Sequence, residues 1–467
     1  MRRSPKLALA GVLFLFFFNA SLLLAQSATA SPPSSSQAAA PAAAEGNVMI
    51  EELKSPNAGT RAKAARELGK ARDVTGVPAL SEAVSDPNDK VRREAVLALA
   101  QMHQQEVLDA LIKATQDHNE EISDLALQSL AGYYTGNVPT PGFTGFLKKN
   151  WQRAKGHFSP DTTRISPGVY VDPKVVAALD ASLKSTRSIR ASCEAAKGLG
   201  ILVARAAVPD LVAASHSSDE TLSLESLNAL SKIKDRSAGP QLVDLLDSPD
   251  KEIKQQACVT AGILGASQAE PKLLYIYEND ADPKSEEKAM EGLAYLGDKT
   301  SVPVFTKALG NISKEIRTAA AEGLARTRDP QALPDLEKAY AVEKDTGARL
   351  ALEFAMSALG KPDYLNDLVN QLSSRTQWDV AQPYLIELAR TPGFLPKLYP
   401  YLQSSSADVR KRLCTVLMLG GDQTSLDQLD RLSHDPNSDV AAEALQAKSG
   451  LRARLAAVGT TAGTNQP

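Results

Sequence analysis

"VPALSEAVSDPNDKVRREAVLALA", Val77 to Ala100, decides the fold. Apolar residues fall at helical spacing on both sides of one breaker, Asp86-Pro87-Asn88-Asp89, so the stretch reads as two short helices folded back on each other. Pro78 recurs as Pro209, Pro240, Pro271, Pro303, Pro334 and Pro396, and from Pro209 onward the spacing is about thirty-one residues or twice that. A chain that repeats one helical hairpin at a fixed period is predicted to be an all-α solenoid, here of about twelve hairpins.

Each column of the repeat has a physical reason. Proline is tolerated in the first turn of a helix, where its missing N–H would have no partner anyway, and it marks the start of each first helix. Eight residues on stand Ser55, Asp86, Asp117, Thr186, Ser217, Ser248, Asn279, Asn311, Ser404 and Asp435, side chains that hydrogen-bond backbone groups in turns and caps. Beyond them a triplet at i, i+4, i+8 puts one apolar stripe on the second helix: Val91, Ala95 and Leu99, or Ile316, Ala320 and Leu324. The small middle residue lets neighbouring helices approach closely.

Proline, Asp eight residues later, then Val-Arg at thirteen and fourteen resembles the HEAT-repeat pattern, which Pro78, Asp86, Val91 and Arg92 match as a set. The short period resembles the bacterial HEAT-like subtype also found in phycobilin lyase subunits. The resemblance covers about residues 47–134 and 173–454. It implies that second helices line a concave side, where the charges of Arg92, Arg93, Arg317, Arg410, Lys411 and Arg412 are candidates for partner binding. Arg92 recurs as Arg61, Lys254, Arg317 and Arg410 but is replaced by Ser123, Ser192 and Ser223, so any acid–arginine ladder between repeats is expected to be incomplete.

Chemistry leaves little trace. His103, His118, His157, His216 and His434 are scattered, without the paired His-Glu motifs of HEAT-like di-iron hydroxylases, and no metal site, cofactor site or catalytic residue is expected. "GLAYLGDKT", Gly292 to Thr300, imitates a phosphate loop, but Asp298 breaks the spacing and Leu293 belongs to the helix stripe. Cys193, Cys258 and Cys414 lie on second helices of separate repeats, at least two hairpins apart, and read as buried, unpaired thiols. With 52 basic against 55 acidic residues and 5% aromatics, the composition gives no pull toward nucleic acid.

The first thirty residues stand outside the repeat. Arg2, Arg3 and Lys6 precede the apolar run Leu7–Ala25, and Ala28-Thr29-Ala30 supplies a small-x-small cleavage site, so residues 1–30 read as an export signal. The alternative is an uncleaved membrane anchor. Residues 31–46, rich in Pro, Ser and Ala, read as a flexible linker, and 455–467 as a disordered tail. Export places the mature chain in the periplasm or outside the cell.

One insertion, residues 135–172, interrupts the repeat. Within it "GFTGFLKKNWQRAKGHF", residues 142–158, puts Phe143, Leu147, Trp151, Ala154 and Phe158 on one helical face with Phe146 beside them, while Lys148, Lys149, Arg153 and Lys155 flank it. Three uses stay open: a plug between two half-solenoids, a surface for an acidic protein partner, or an amphipathic segment on an anionic membrane. The sequence as a whole reads as an exported, non-catalytic scaffold that binds another envelope or secreted protein along its curved surface. A peripheral membrane adaptor and a lyase-like enzyme or enzyme subunit are the alternatives, and the oligomeric state is left open.

Overall fold

The computed structural model describes residues 39–136, 164–165 and 168–462. The chain divides into two compact units, Met1–Glu45 and Gly46–Pro467. Of the first unit, residues 39–45 are described, and they open the helix Ala39–Glu52. Residues 1–30, the first half of the linker (31–38), the stretch 142–158 and residues 463–467 lie outside the described residues.

Within Gly46–Pro467 the described elements are α-helices and short 3-10 helices that alternate as first and second members of hairpins. The quoted stretch folds as Val77–Ala83 followed by Asp89–Ala100. Asn88 caps the second helix by accepting from the Lys90 N–H, which satisfies a donor the helix start would otherwise orphan. Asn119, Ser188, Asp219, Asp250, Asp282, Ser313, Asp345 and Ser406 cap their second helices in the same way, each worth about 1 kcal/mol. Twelve hairpins are present among the described residues, the last built from Ser425–Leu432 and Ser438–Ala462.

The proline column holds with one exception. Pro78, Pro209, Pro271, Pro303, Pro334 and Pro396 stand in the first turn of their helices. Pro240 instead lies inside the 3-10 segment Arg236–Leu242, and a second 3-10 piece, Asp244–Asp247, completes that member of the hairpin. The preceding Gly239 stands where Val77 and Val208 open α-helices, and glycine gives the turn little helical preference.

The turn column holds too, shifted twice by one residue. Asp86, Asp117, Asn311 and Asp435 each accept the N–H two residues on, closing a tight turn before the second helix. Where Asn279 and Thr186 were expected, Asp280 and Ser185 make that bond.

Second helices pack on second helices along the whole array, while first helices touch each other less, as on the outside of a curve. The stripe residues Ala95, Leu99, Ile316, Ala320 and Leu324 lie in one continuous core that runs from Leu53 to Leu451, and Val91 is buried as well. Gly262 and Gly292 permit the closest approach: a β-carbon at Gly292 would stand 2.4 Å from the Cys258 carbonyl oxygen. Such a core needs no division into globules, because each hairpin covers its neighbour.

The three cysteines are buried and outside any disulfide, and burial pushes the Cys258 and Cys414 thiols up to about 12. Among the described residues no helix is long and apolar enough to cross a membrane. The chain returns to the array at Ile165, whose N–H donates to the Ile201 carbonyl. Gly168, at φ 86°, then lies so near the last helix that an added β-carbon would stand 2.3 Å from that of Ala453.

Candidate functional site

The six repeat cations named as partner-binding candidates have definite places. Arg92 is 4% exposed; its Nε and Nη2 donate to Asp117 at 2.7 and 3.0 Å, and its Nη1 donates to the Asp86 carbonyl. Arg61 meets Asp86, Arg317 meets Glu343 and Arg410 meets Asp435 in the same forked geometry, and Lys254 meets Asp280 through one bond. Each arginine ties its own turn to the next hairpin's turn. The neighbouring guanidinium holds the carboxyls of Asp86, Glu343 and Asp435 below the usual carboxylate range.

The expectation that Arg92, Arg317 and Arg410 offer exposed charge to a partner is therefore corrected. A bidentate guanidinium–carboxylate pair between repeats is satisfied internally. Arg93 bridges Glu94 and Glu121, Arg412 stacks 4.5 Å over the Trp378 ring, and Lys411 is partly buried. The ladder is incomplete, as expected: Ser123 and Ser223 turn inward to the Thr115 and Ser215 carbonyls of their own hairpins, and Ser192 bonds within its turn. Phe143, Phe146, Leu147, Lys148, Lys149, Trp151 and Arg153 lie outside the described residues.

A different group of cations converges on the inner side, at the C-terminal ends of second helices. Lys234 follows Glu220–Ile233, Arg328 follows Lys314–Thr327 and Arg390 follows Trp378–Ala389. A cation there complements the negative end of the helix, worth about 0.3–1 kcal/mol each. Lys234 and Arg328 occupy a left-handed slot, φ 57° and 54°, that the same column fills with Gly265, Gly297 and Gly360 elsewhere. Helix-end electrostatics explains each cation singly. It does not explain their meeting.

Hairpins two apart touch here. Arg326 donates to Glu387 at 2.8 and 3.0 Å and Tyr384 donates to Glu322 at 2.6 Å, although each pair is separated by two repeats. The Arg326 guanidinium also lies 4.7 Å over the Tyr295 ring, and Phe354 and Tyr384 stack at 4.6 Å. Around this cluster lies a recess of about 210 Å³, walled by Ala325, Phe354, Ala358 and Leu388 and rimmed by Arg326, Arg328, Glu387, Arg390 and Thr391.

The charges that gather near Arg390 perturb one another. Desolvation, and then the nearby charges of Arg164 and Arg390, lowers the Lys234 ammonium from its usual range. Desolvation and the Arg390 charge act in the same direction on Arg164 and Arg454. Burial pushes the Glu322 carboxyl up. Arg390 donates only to the Leu419 carbonyl, Arg328 to the Thr391 hydroxyl and Arg454 to the Met418 and Gly421 carbonyls.

Elsewhere the chemistry is sparse. Glu220, Asp250 and Glu252 bring carboxylate oxygens within 4.8 Å of one another, but they stand at the starts of neighbouring second helices, where acids are favoured anyway. The segment Gly292–Thr300 is no phosphate loop: Gly297 caps one helix and Asp298 accepts from the Thr300 N–H to start the next turn. Sequence reasoning missed the inner cations because they are set by which hairpins meet, and the available signal was only a basic residue after each of three second helices.

The family model that describes HEAT repeats matches residues 46–131, 172–262 and 270–357, more than half of the chain. Among solved structures, the chain is similar to an engineered protein, at 18% identity over 87% of this chain and 99% of that one, with a TM-score of 0.36. It is similar to the complex of CpcE and CpcF of phycocyanin lyase from Nostoc sp., at 18% identity over 59% and 92%, TM-score 0.36. The Kap95p–RanGDP complex follows at 13% identity over 88% and 56%, TM-score 0.43. No curated protein matches the sequence.

Proposed function

The chain belongs to the HEAT-repeat family, and from that premise we propose that it is an exported, non-catalytic scaffold that holds an envelope or secreted protein against its second helices. The observation that carries this reading is the inner face itself: charged side chains from hairpins far apart in sequence gather there around an open recess. A stack that buries one continuous core leaves a long surface free for recognition. The reading of residues 1–30 as an export signal supplies the compartment.

The test is proximity labelling in the native host, comparing the full chain with one that lacks residues 1–30. Labelled envelope or secreted proteins that vanish on removing the segment support the reading. Labelling of the same cytosolic proteins by both chains would overturn the export half of it, and absence of any reproducible neighbour would overturn the scaffold half. The membrane-adaptor reading rests on the aromatic and basic stretch 142–158, and lipid-dominated labelling around Trp151 would favour it instead.

A further inference from the structure

We propose that the groove bounded by Arg328, Arg390 and Arg454 binds an acidic segment of a partner protein, its carboxylates on these cations and one aliphatic side chain in the recess beside Phe354 and Leu388. The inference rests on the scaffold reading and names the chemistry of what the scaffold holds.

Three observations carry it. First, the cations are unspent. Among the described residues no carboxylate lies at ion-pair distance from Lys234, Arg328, Arg390, Arg454 or Arg164, whereas most inter-repeat cations have one. In a chain of net charge −3 this local excess of positive charge is not an average of the composition. Second, the cations stand together: Arg390 and Arg454 donate to carbonyls of one helix end, Leu419, Met418 and Gly421, and Arg328 and Arg390 line one recess, so an anion bound there gains from several of them at once. Third, the recess of about 210 Å³ is smaller than the roughly 300 Å³ at which cofactor pockets begin, and its floor is apolar. It suits one side chain of a peptide.

A continuous polyanion fits less well. Glu387, 40% exposed, stands in the rim with one side committed to Arg326. A polynucleotide or polysulfate must bring charge against it at every register. A peptide can space its carboxylates around it and offer backbone N–H groups to its free lone pairs.

The experiment uses the purified chain and a fluorescein-labelled peptide of alternating glutamate and leucine, read by fluorescence anisotropy at low salt. Binding is expected, falling steeply as salt is added. The double variant Arg328→Glu, Arg390→Glu should bind about tenfold or more weakly. Lys113→Glu, exposed on the first helix Val107–Ala114 and away from the groove, should bind like the native chain. If the double variant melts early, Arg328→Gln alone repeats the test at an exposed position. No binding at low salt, or equal binding by the variant, overturns the inference. Displacement of the peptide by equimolar heparin, with tighter binding of heparin, would show a polyanion site and overturn it too. Failure here with envelope proteins still labelled in the host would leave the scaffold reading standing and remove only the acidic occupant.

Discussion

Arg92 combines two environments that its sequence position did not separate: a place on a charged second helix and a place between two turns. The Val-Arg pair was legible as a repeat feature, but its burial was not, because Asp117 lies 25 residues away and must be brought in by stacking. Arg92→Ala should cost about 3 kcal/mol, since it leaves Asp117 as a buried charge without its partner. The adjacent Arg93→Ala should cost less, about 1 kcal/mol, because its pair with Glu121 is near the surface and the buried Glu94 keeps Arg66 as a partner. Urea unfolding of both variants checks the contrast. A second residue gives a pH test. Burial pushes the Glu353 carboxyl up to about 7, although it accepts from the Tyr340 hydroxyl at 3.1 Å. The folded state thus keeps a proton that the unfolded chain releases near pH 4.3, and this contribution is present at pH 5 and lost as pH rises through 7. The stability of Glu353→Gln relative to the native chain should therefore rise by on the order of 2 kcal/mol between pH 5 and pH 8. A difference that stays flat across that range would contradict the assignment.

At the scale of the element, helix starts were the most legible part of the sequence. A first-turn proline, a turn-closing Asp or Ser and a capping Asn or Asp two residues later act locally, so spacing alone reveals them. Pro240 shows the limit, because the same proline after a glycine yields 3-10 turns instead of an α-helix. Register shifts such as Asp280 for Asn279 are equally local, yet adjacent residues of one chemical kind cannot be ranked without the backbone. The closeness of helices was legible only as a preference for small residues. Gly292→Ala makes that preference quantitative. Alanine is favoured in a helix by about 1 kcal/mol. Its methyl would meet a backbone carbonyl at 2.4 Å, and backbone cannot swing aside as a side chain can. The clash should win, with a net loss of about 1–3 kcal/mol seen as a lower urea midpoint.

For the whole molecule, the period revealed the array and its single core, since a hairpin that repeats buries the same stripe each time. The meeting of Arg326 with Glu387, and of Lys234 with Arg390, was not legible, because it sums small rotations over several interfaces, none of which has its own signature. The insertion stayed equally opaque, its aromatic face serving a plug, a partner or a membrane alike. The approach of Gly168 to Ala453 bears on something other than energy, namely the order of events in time. Neighbouring hairpins can zip from any starting point as soon as they are made. This contact has to wait, because nearly every intervening hairpin must be stacked before the two residues can meet, and closing so long a loop is slow. With dyes at the exposed positions Val169 and Arg452, energy transfer should return after helical circular dichroism has recovered during refolding; simultaneous recovery would mean that the ends find each other first.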